Sequence, residues 1–191
     1  VSGVRAGKSQ FDRAMHHQGP RNARTIRDQI SREMWEDING LFHTVSRFDP
    51  QQEIAIGPHR MCELIKFGGH RFHGVSDATL PHDEGWEFLR IGWALEREEM
   101  TARLVDVKYH NLLESPAHLT APDSHQWMAV LKSVGAYEAY HRQYHSPIEP
   151  EKVAEMLILH PRHPRSILFS TAEVQAGLRS ISGSNPGTYA N

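Results

Sequence analysis

Cysteine is nearly absent, with one residue, Cys62, in a chain of 191. A single thiol excludes an internal disulfide and fits a reducing compartment, so a cytoplasmic protein is expected. Long apolar runs are missing as well. None approaches the roughly 18 residues of a membrane span, and no charged-then-apolar start suggests a signal peptide, so no membrane partner is expected. Positive charge is not in excess: 21 Lys and Arg stand against 23 Asp and Glu, interleaved along the chain, for a net charge of -2. A nucleic-acid surface needs surplus Lys and Arg, which argues against nucleic acid as the main partner. No glycine-rich phosphate loop occurs, because Gly68-Gly69 lacks the Lys and Ser or Thr that would follow. No segment alternates with period two and β-branched enrichment, so strands are not expected.

What remains is helical periodicity in a chain long enough to form one domain, or a large part of one, with a real core. Between Asp83 and Glu114 there is no proline, and Trp86, Leu89, Trp93, Met100, Leu104, Val107 and Asn111 trace a stripe of helical spacing. At 1.5 Å per residue such a helix reaches roughly 50 Å. Glu96 and Arg97 interrupt the stripe between Trp93 and Met100. Two opposite charges sit where Leu or Ala is expected, which makes them the most informative residues in the chain.

The other periodic segments lie between prolines. A helix is expected from Arg21 to about Phe48, with Ile30, Met34, Ile38, Leu41 and Val45 facing in. A second is expected from about Pro58 to Phe72, weakened near Gly68-Gly69, since glycine costs about 1 kcal/mol against alanine in a helix. A short loop, Ser76–Pro81, precedes the long helix. Ser115–Pro122 reads as a loop, and Asp123 with Gln126 resembles a capping box opening a helix to about Tyr144. Pro150 stands at a first helical position with Ile148 stapled onto Val153, for a short helix ending near Leu159. A last helix is expected from Arg165 to about Ser180. The expected architecture is all-α, a bundle of about six helices, three of them long. Residues 1–20 read as a flexible lead-in, 21–182 as the helical domain and 183–191 as a disordered tail. The first residue is Val1 rather than Met, so an amino-terminal part is expected to be missing or processed.

Four blocks, NARTIRDQISREMWEDIN (Asn22–Asn39), DEGWEFLRIGWALEREEMTARLVDV (Asp83–Val107), WMAVLKSVGAYEAYHRQY (Trp127–Tyr144) and VAEMLILHPRHPRSILF (Val153–Phe169), resemble the alpha-E family in order and spacing. That group of bacterial all-helical proteins is named for a glutamate–arginine motif, here Glu96-Arg97. The resemblance covers about residues 20–182. It implies a gene system that also holds circularly permuted ATP-grasp ligase-like proteins and transglutaminase-like proteases, both of which become expected partners. Family members usually carry further amino-terminal helices, which this sequence is expected to lack. The resemblance implies no established catalytic mechanism.

Neighbours on a helix point about 100° apart, so Glu96 and Arg97 are expected to find partners on another helix. Arg24, Arg27, Glu33 and Glu36 are the natural suppliers. Arg103 completes the candidate set, although its spacing from Glu99 suits a solvated pair. One reading is a buried polar layer that fixes helix register, with no need for net stabilisation. The other is a cavity binding a small anionic or amino-acid-like ligand, since arginine's fork suits carboxylate or phosphate. His70 with His73, His141 with His145, and Asp106–His110–Glu114 have spacings that place two ligands on one helix face. A di-iron bundle needs Glu-x-x-His repeated on two helices, which does not occur, so no metal site and no cofactor are expected. The histidines read as surface or capping residues. Cys62, beside Met61 and Leu64, reads as an inert buried thiol. Trp35, Trp86, Trp93 and Trp127 read as aromatic core. The expected function is a helical accessory module of an ATP-grasp-type peptide or amide ligase. The alternative is an enzyme acting on an amino-acid or peptide substrate through Glu96 and Arg97. Apolar stripes left exposed on such a bundle would favour association, including a homo-oligomer.

Overall fold

The structure, a computed structural model, describes residues 19–48, 57, 59–113 and 121–183. Most of the expected lead-in, tail and Ser115–Pro122 loop lies outside these residues. Among them there are eight α-helices and no strand. The chain divides into two compact units, Val1–Pro81 and His82–Asn191.

In the first unit, α1 (Gly19–Thr25) and α3 (His59–Thr79) each pack on α2 (Arg32–Ser46). The expected single helix over Arg21–Phe48 is therefore two. Ser31 is the reason: its hydroxyl accepts the Met34 N–H at 3.1 Å and caps α2, while Arg27 donates to the Ile30 carbonyl at 3.3 Å across the turn. Helix α3 runs past the expected end at Phe72 and takes in much of the expected Ser76–Pro81 loop. At Gly68 α3 comes close to α2, and a Cβ there would meet the movable end of Leu41, Cδ1 at 2.7 Å. An apolar cavity of about 180 Å³ lies beside this approach, lined by Ile38, Leu41, Phe42 and Phe72 among others. Asp37 closes one edge by pairing with Arg71 at 2.5 Å. Cys62 is exposed, correcting the expected buried thiol: its position on α3 turns away from the apolar side.

In the second unit, α4 (Glu84–Leu113) is the 30-residue spine. Asp83 caps its start, accepting the Gly85 N–H at 2.9 Å and the Trp86 N–H at 3.4 Å. Trp86 is stacked on His82 with ring centroids 4.3 Å apart. The expected helix to Tyr144 is also two, α5 (Ala121–Ser133) and α6 (Tyr137–Tyr144). Gly135 breaks it with φ +65°, a backbone state natural to glycine. Because α5 begins at Ala121, Asp123 lies inside the helix and does not open it. Helix α7 (Pro150–Leu159) starts on its proline, and α8 (Ile167–Ser182) is capped by Ser166, whose hydroxyl accepts the Phe169 N–H at 3.0 Å.

The core of this unit forms where α5, α6 and α7 close on the later half of α4. Trp127, Val130, Leu131, Ala136, Tyr140, Val153, Met156 and Leu157 are buried together, with Leu104 and Val105 of α4 against them. Each fully buried large side chain contributes roughly 1.5–3 kcal/mol. Tyr140 also ties the α6–α7 link, its hydroxyl donating to the Pro147 carbonyl at 3.0 Å and accepting from the Glu149 N–H at 3.1 Å. Helix α8 lies antiparallel along α4, since Thr101 meets Arg165, Arg90 meets Glu173, and Ile91 meets Gly177. No described helix is long and apolar enough to cross a membrane.

Candidate functional site in the α4–α8 seam

The side of α4 that meets α8 carries Glu87, Arg90, Ile91, Ala94, Arg97 and Thr101, steps of one, three and four that keep to one side of a helix. This buried side is turned about a quarter of the circumference from the expected stripe. Trp86 is still buried, but Met100 is 56% exposed and Val107 58%. The rotation comes from α8: its small residues Ser170 and Gly177 let it approach closely, so burial follows Ile91 and Ala94.

Along the seam the charges are unevenly matched. Arg90 binds Glu173 at 2.7 Å and Glu87 at 3.2 Å, and the Glu173 hydrogen bond raises its affinity for the proton. Both carboxylates are thereby engaged by one arginine. Arg97, two turns further along, is half-buried and bonds to no acid among the described residues. Burial, then the Arg165 cation, push the Arg97 guanidinium down from its ordinary value, while Glu173 partly offsets them.

The corner is completed by the His160–Ser166 turn. Thr101, 1% exposed, donates to the Arg165 carbonyl at 2.8 Å and pins the turn to α4. Ser166 donates from its hydroxyl to the His160 carbonyl and from its N–H to the His163 carbonyl at 2.9 Å. His163 is only 8% exposed, and its Nε2 has no hydrogen-bond partner; Ser170 Oγ, one turn into α8, is buried and unpartnered too. Burial pushes the His163 imidazole below its ordinary value, and His160 and Arg165 add to the effect.

Glu96, expected in a buried layer, is exposed, because neighbours on a helix diverge by about 100° and its partner takes the seam. Arg24, Arg27, Glu33 and Glu36 are exposed residues of the first unit. Arg27 lies 5.4 Å from the Trp35 ring centroid, and Glu36 binds Arg32 at 2.7 Å. Arg103 pairs with Glu99 at 2.5 Å, both well exposed. Sequence reasoning missed His163, Arg165, Thr101 and the Arg90–Glu173 bridge. A signal was available in Pro161–Pro164, where Arg162 and His163 sit between prolines just before a capping serine. His163 also corrects the reading of the histidines as surface residues. One Glu-x-x-His spacing does occur, Glu138 to His141, and it stands alone. Among the described residues no three His, Cys, Asp or Glu are placed to hold a metal ion.

A family profile described as a predicted alpha-helical domain with a conserved ER motif matches residues 13–191. The chain belongs to the Alpha-E family. Its single Glu-Arg dipeptide is Glu96-Arg97, so the ER motif of the Alpha-E description falls on the seam arginine and its outward neighbour. Three uncharacterized mycobacterial proteins are similar, one from Mycobacterium bovis and two from strains CDC 1551 and H37Rv of Mycobacterium tuberculosis. Each is 23% identical over 168 residues, 85% of this chain but 18% of the relative. The Alpha-E chain thus spans less than a fifth of the length of these relatives. No solved structure matches it.

Proposed function

We propose that the chain is a helical partner module of an ATP-grasp-type peptide or amide ligase, working beside a transglutaminase-like protein. In this reading its α4–α8 seam receives an anionic or amino-acid-like group that the ligase handles. One observation carries the reading: Arg97 is half-buried and bonded to no acid among the described residues. A guanidinium in that condition has its planar donor fork free for an incoming carboxylate or phosphate. A structural arginine at such depth is normally matched by a carboxylate, as Arg90 is by Glu173. Family membership supports the partnership.

The direct test is co-purification with the cognate ATP-grasp protein, followed by its ATP turnover with and without this chain. Absence of both a complex and an effect on turnover would sink the proposal. The rival, an enzyme acting through Glu96 and Arg97 together, is not favoured by the geometry, since the first is exposed and the second lies in the seam.

A further inference from the structure

We infer that the corner between Arg97 and the start of α8 binds a phosphoryl group, a dianionic oxyanion, in preference to a carboxylate. This rests on the reading that the seam takes an anion, and it names the class.

The argument is one of charge and orphaned donors. Arg97 and Arg165 both reach this corner, and neither has an acid bonded to it among the described residues. The carboxylate that Arg97 feels, Glu173, is engaged by Arg90, and half-buried Glu98, the neighbour of Arg97 on α4, is bonded to neither arginine. The 16-residue α8 adds roughly half a positive charge at its start, where the N–H groups of Ile167 and Leu168 have no acceptor within the helix. A carboxylate would neutralise only one of the two guanidinium groups. A phosphate monoester, carrying about -1.5 to -2 at neutral pH and three acceptor oxygens, answers both together with the helix start.

Two further atoms independently point to a ligand. His163 Nε2 and Ser170 Oγ are buried and unpartnered, on residues 8% and 1% exposed that flank the capping Ser166 on either side. Buried polar atoms without a partner are uncommon enough to require an explanation. Of the two, the His163 ring also feels the Arg165 cation, so its unused Nε2 lies near the unmatched charge, where an incoming oxyanion is an available partner.

The test is calorimetric titration of the full chain with inorganic phosphate, phenyl phosphate, ADP and acetate in chloride buffer at pH 7. Phosphate or a phosphate ester should bind about tenfold or more tightly than acetate. The rank among inorganic phosphate, phenyl phosphate and ADP then separates a free ion from an ester or a nucleotide. Arg165→Ala, at an exposed position, and Arg97→Lys should each weaken the binding by about tenfold or more. Arg103→Ala should leave it unchanged, and thermal melts confirm folding of all three. Acetate binding as tightly as every phosphate overturns the phosphoryl class and leaves the anion reading standing. Binding of none overturns both. Phosphate binding that neither arginine variant weakens places the ion elsewhere and overturns the inference.

Discussion

Replacing Arg97 with methionine should leave the fold's stability within about 1 kcal/mol of the parent, with any change toward greater stability. Breaking a buried ion pair by removing one partner typically costs about 3–5 kcal/mol, because the other charge is left stranded. Arg97 has no bonded acid among the described residues to strand. Methionine keeps most of the unbranched stem of a half-buried side chain, and it removes a cation that burial and Arg165 already disfavour. Arg90→Met is the matched control. It strips a 2.7 Å partner from Glu173 and a 3.2 Å partner from Glu87, whose side chains are 35% and 16% exposed. Partial solvation screens those acids, so the expected loss is about 1–2 kcal/mol. Urea unfolding at pH 7, followed by tryptophan fluorescence and far-ultraviolet dichroism with slopes compared, measures both. A loss of about 3 kcal/mol or more for Arg97→Met at unchanged slope, or a larger loss than for Arg90→Met, would refute the reasoning. Arg97 would then be part of the scaffold.

The two tight glycines should behave oppositely. A Cβ at Gly177 meets Ile91 Cγ1 at 2.7 Å, close to the backbone of a buried β-branched residue, so Gly177→Ala should lose about 1–3 kcal/mol and Ile91→Ala should relieve the clash in the double variant. A Cβ at Gly68 meets the terminal methyls of Leu41 beside a cavity, so Gly68→Ala should be neutral or gain up to about 1 kcal/mol; a thermal melt that ranks the two glycines the other way contradicts this. Tyr140→Phe deprives the Pro147 carbonyl and the Glu149 N–H of their partner in a fully buried place, for an expected loss of about 1–3 kcal/mol by urea unfolding. His163 is held below its ordinary 6.5, so on acidification the unfolded chain takes up that proton first. Native stability from this group is therefore complete above about pH 7 and declines as the pH falls below about 6.5. His163→Gln should show a smaller loss in urea midpoint between pH 7.5 and 5.5, and an undiminished loss counts against the buried neutral ring.

Local chemistry made α7 and α8 legible. Pro150 opens one, and Pro161 and Pro164 stand just ahead of the other, both within a few residues of the helix they announce. The breaks at Ser31 and Gly135 were hidden because the apolar period runs on across each, from Ile30 to Met34 and from Leu131 to Tyr137. Periodicity reports which side is apolar; it does not report continuity. Glu96-Arg97 was visible as an interruption, but its surroundings were not. Which side of α4 is buried depends on how closely α8 approaches through Ser170 and Gly177, residues about eighty positions away. The burial of His163 likewise depends on Thr101 holding the Arg165 carbonyl, a long-range bond with no local sign.

The spacing of the ER motif is itself an argument about what it does. Two residues meant to pair on one helix stand three or four apart, as Glu99 and Arg103 or Glu87 and Arg90 do here. Residues one apart cannot face each other, so Glu96 and Arg97 are placed to serve two surfaces of α4. Arg97 enters the seam with α8, where the carboxylates are already bonded to Arg90. Glu96 stands outside, in the sequence between Leu95 and Met100, both of which are half or more exposed. Divided as they are, the arginine faces the seam of the proposed anion site, and the acid stands with exposed apolar neighbours on another side of α4.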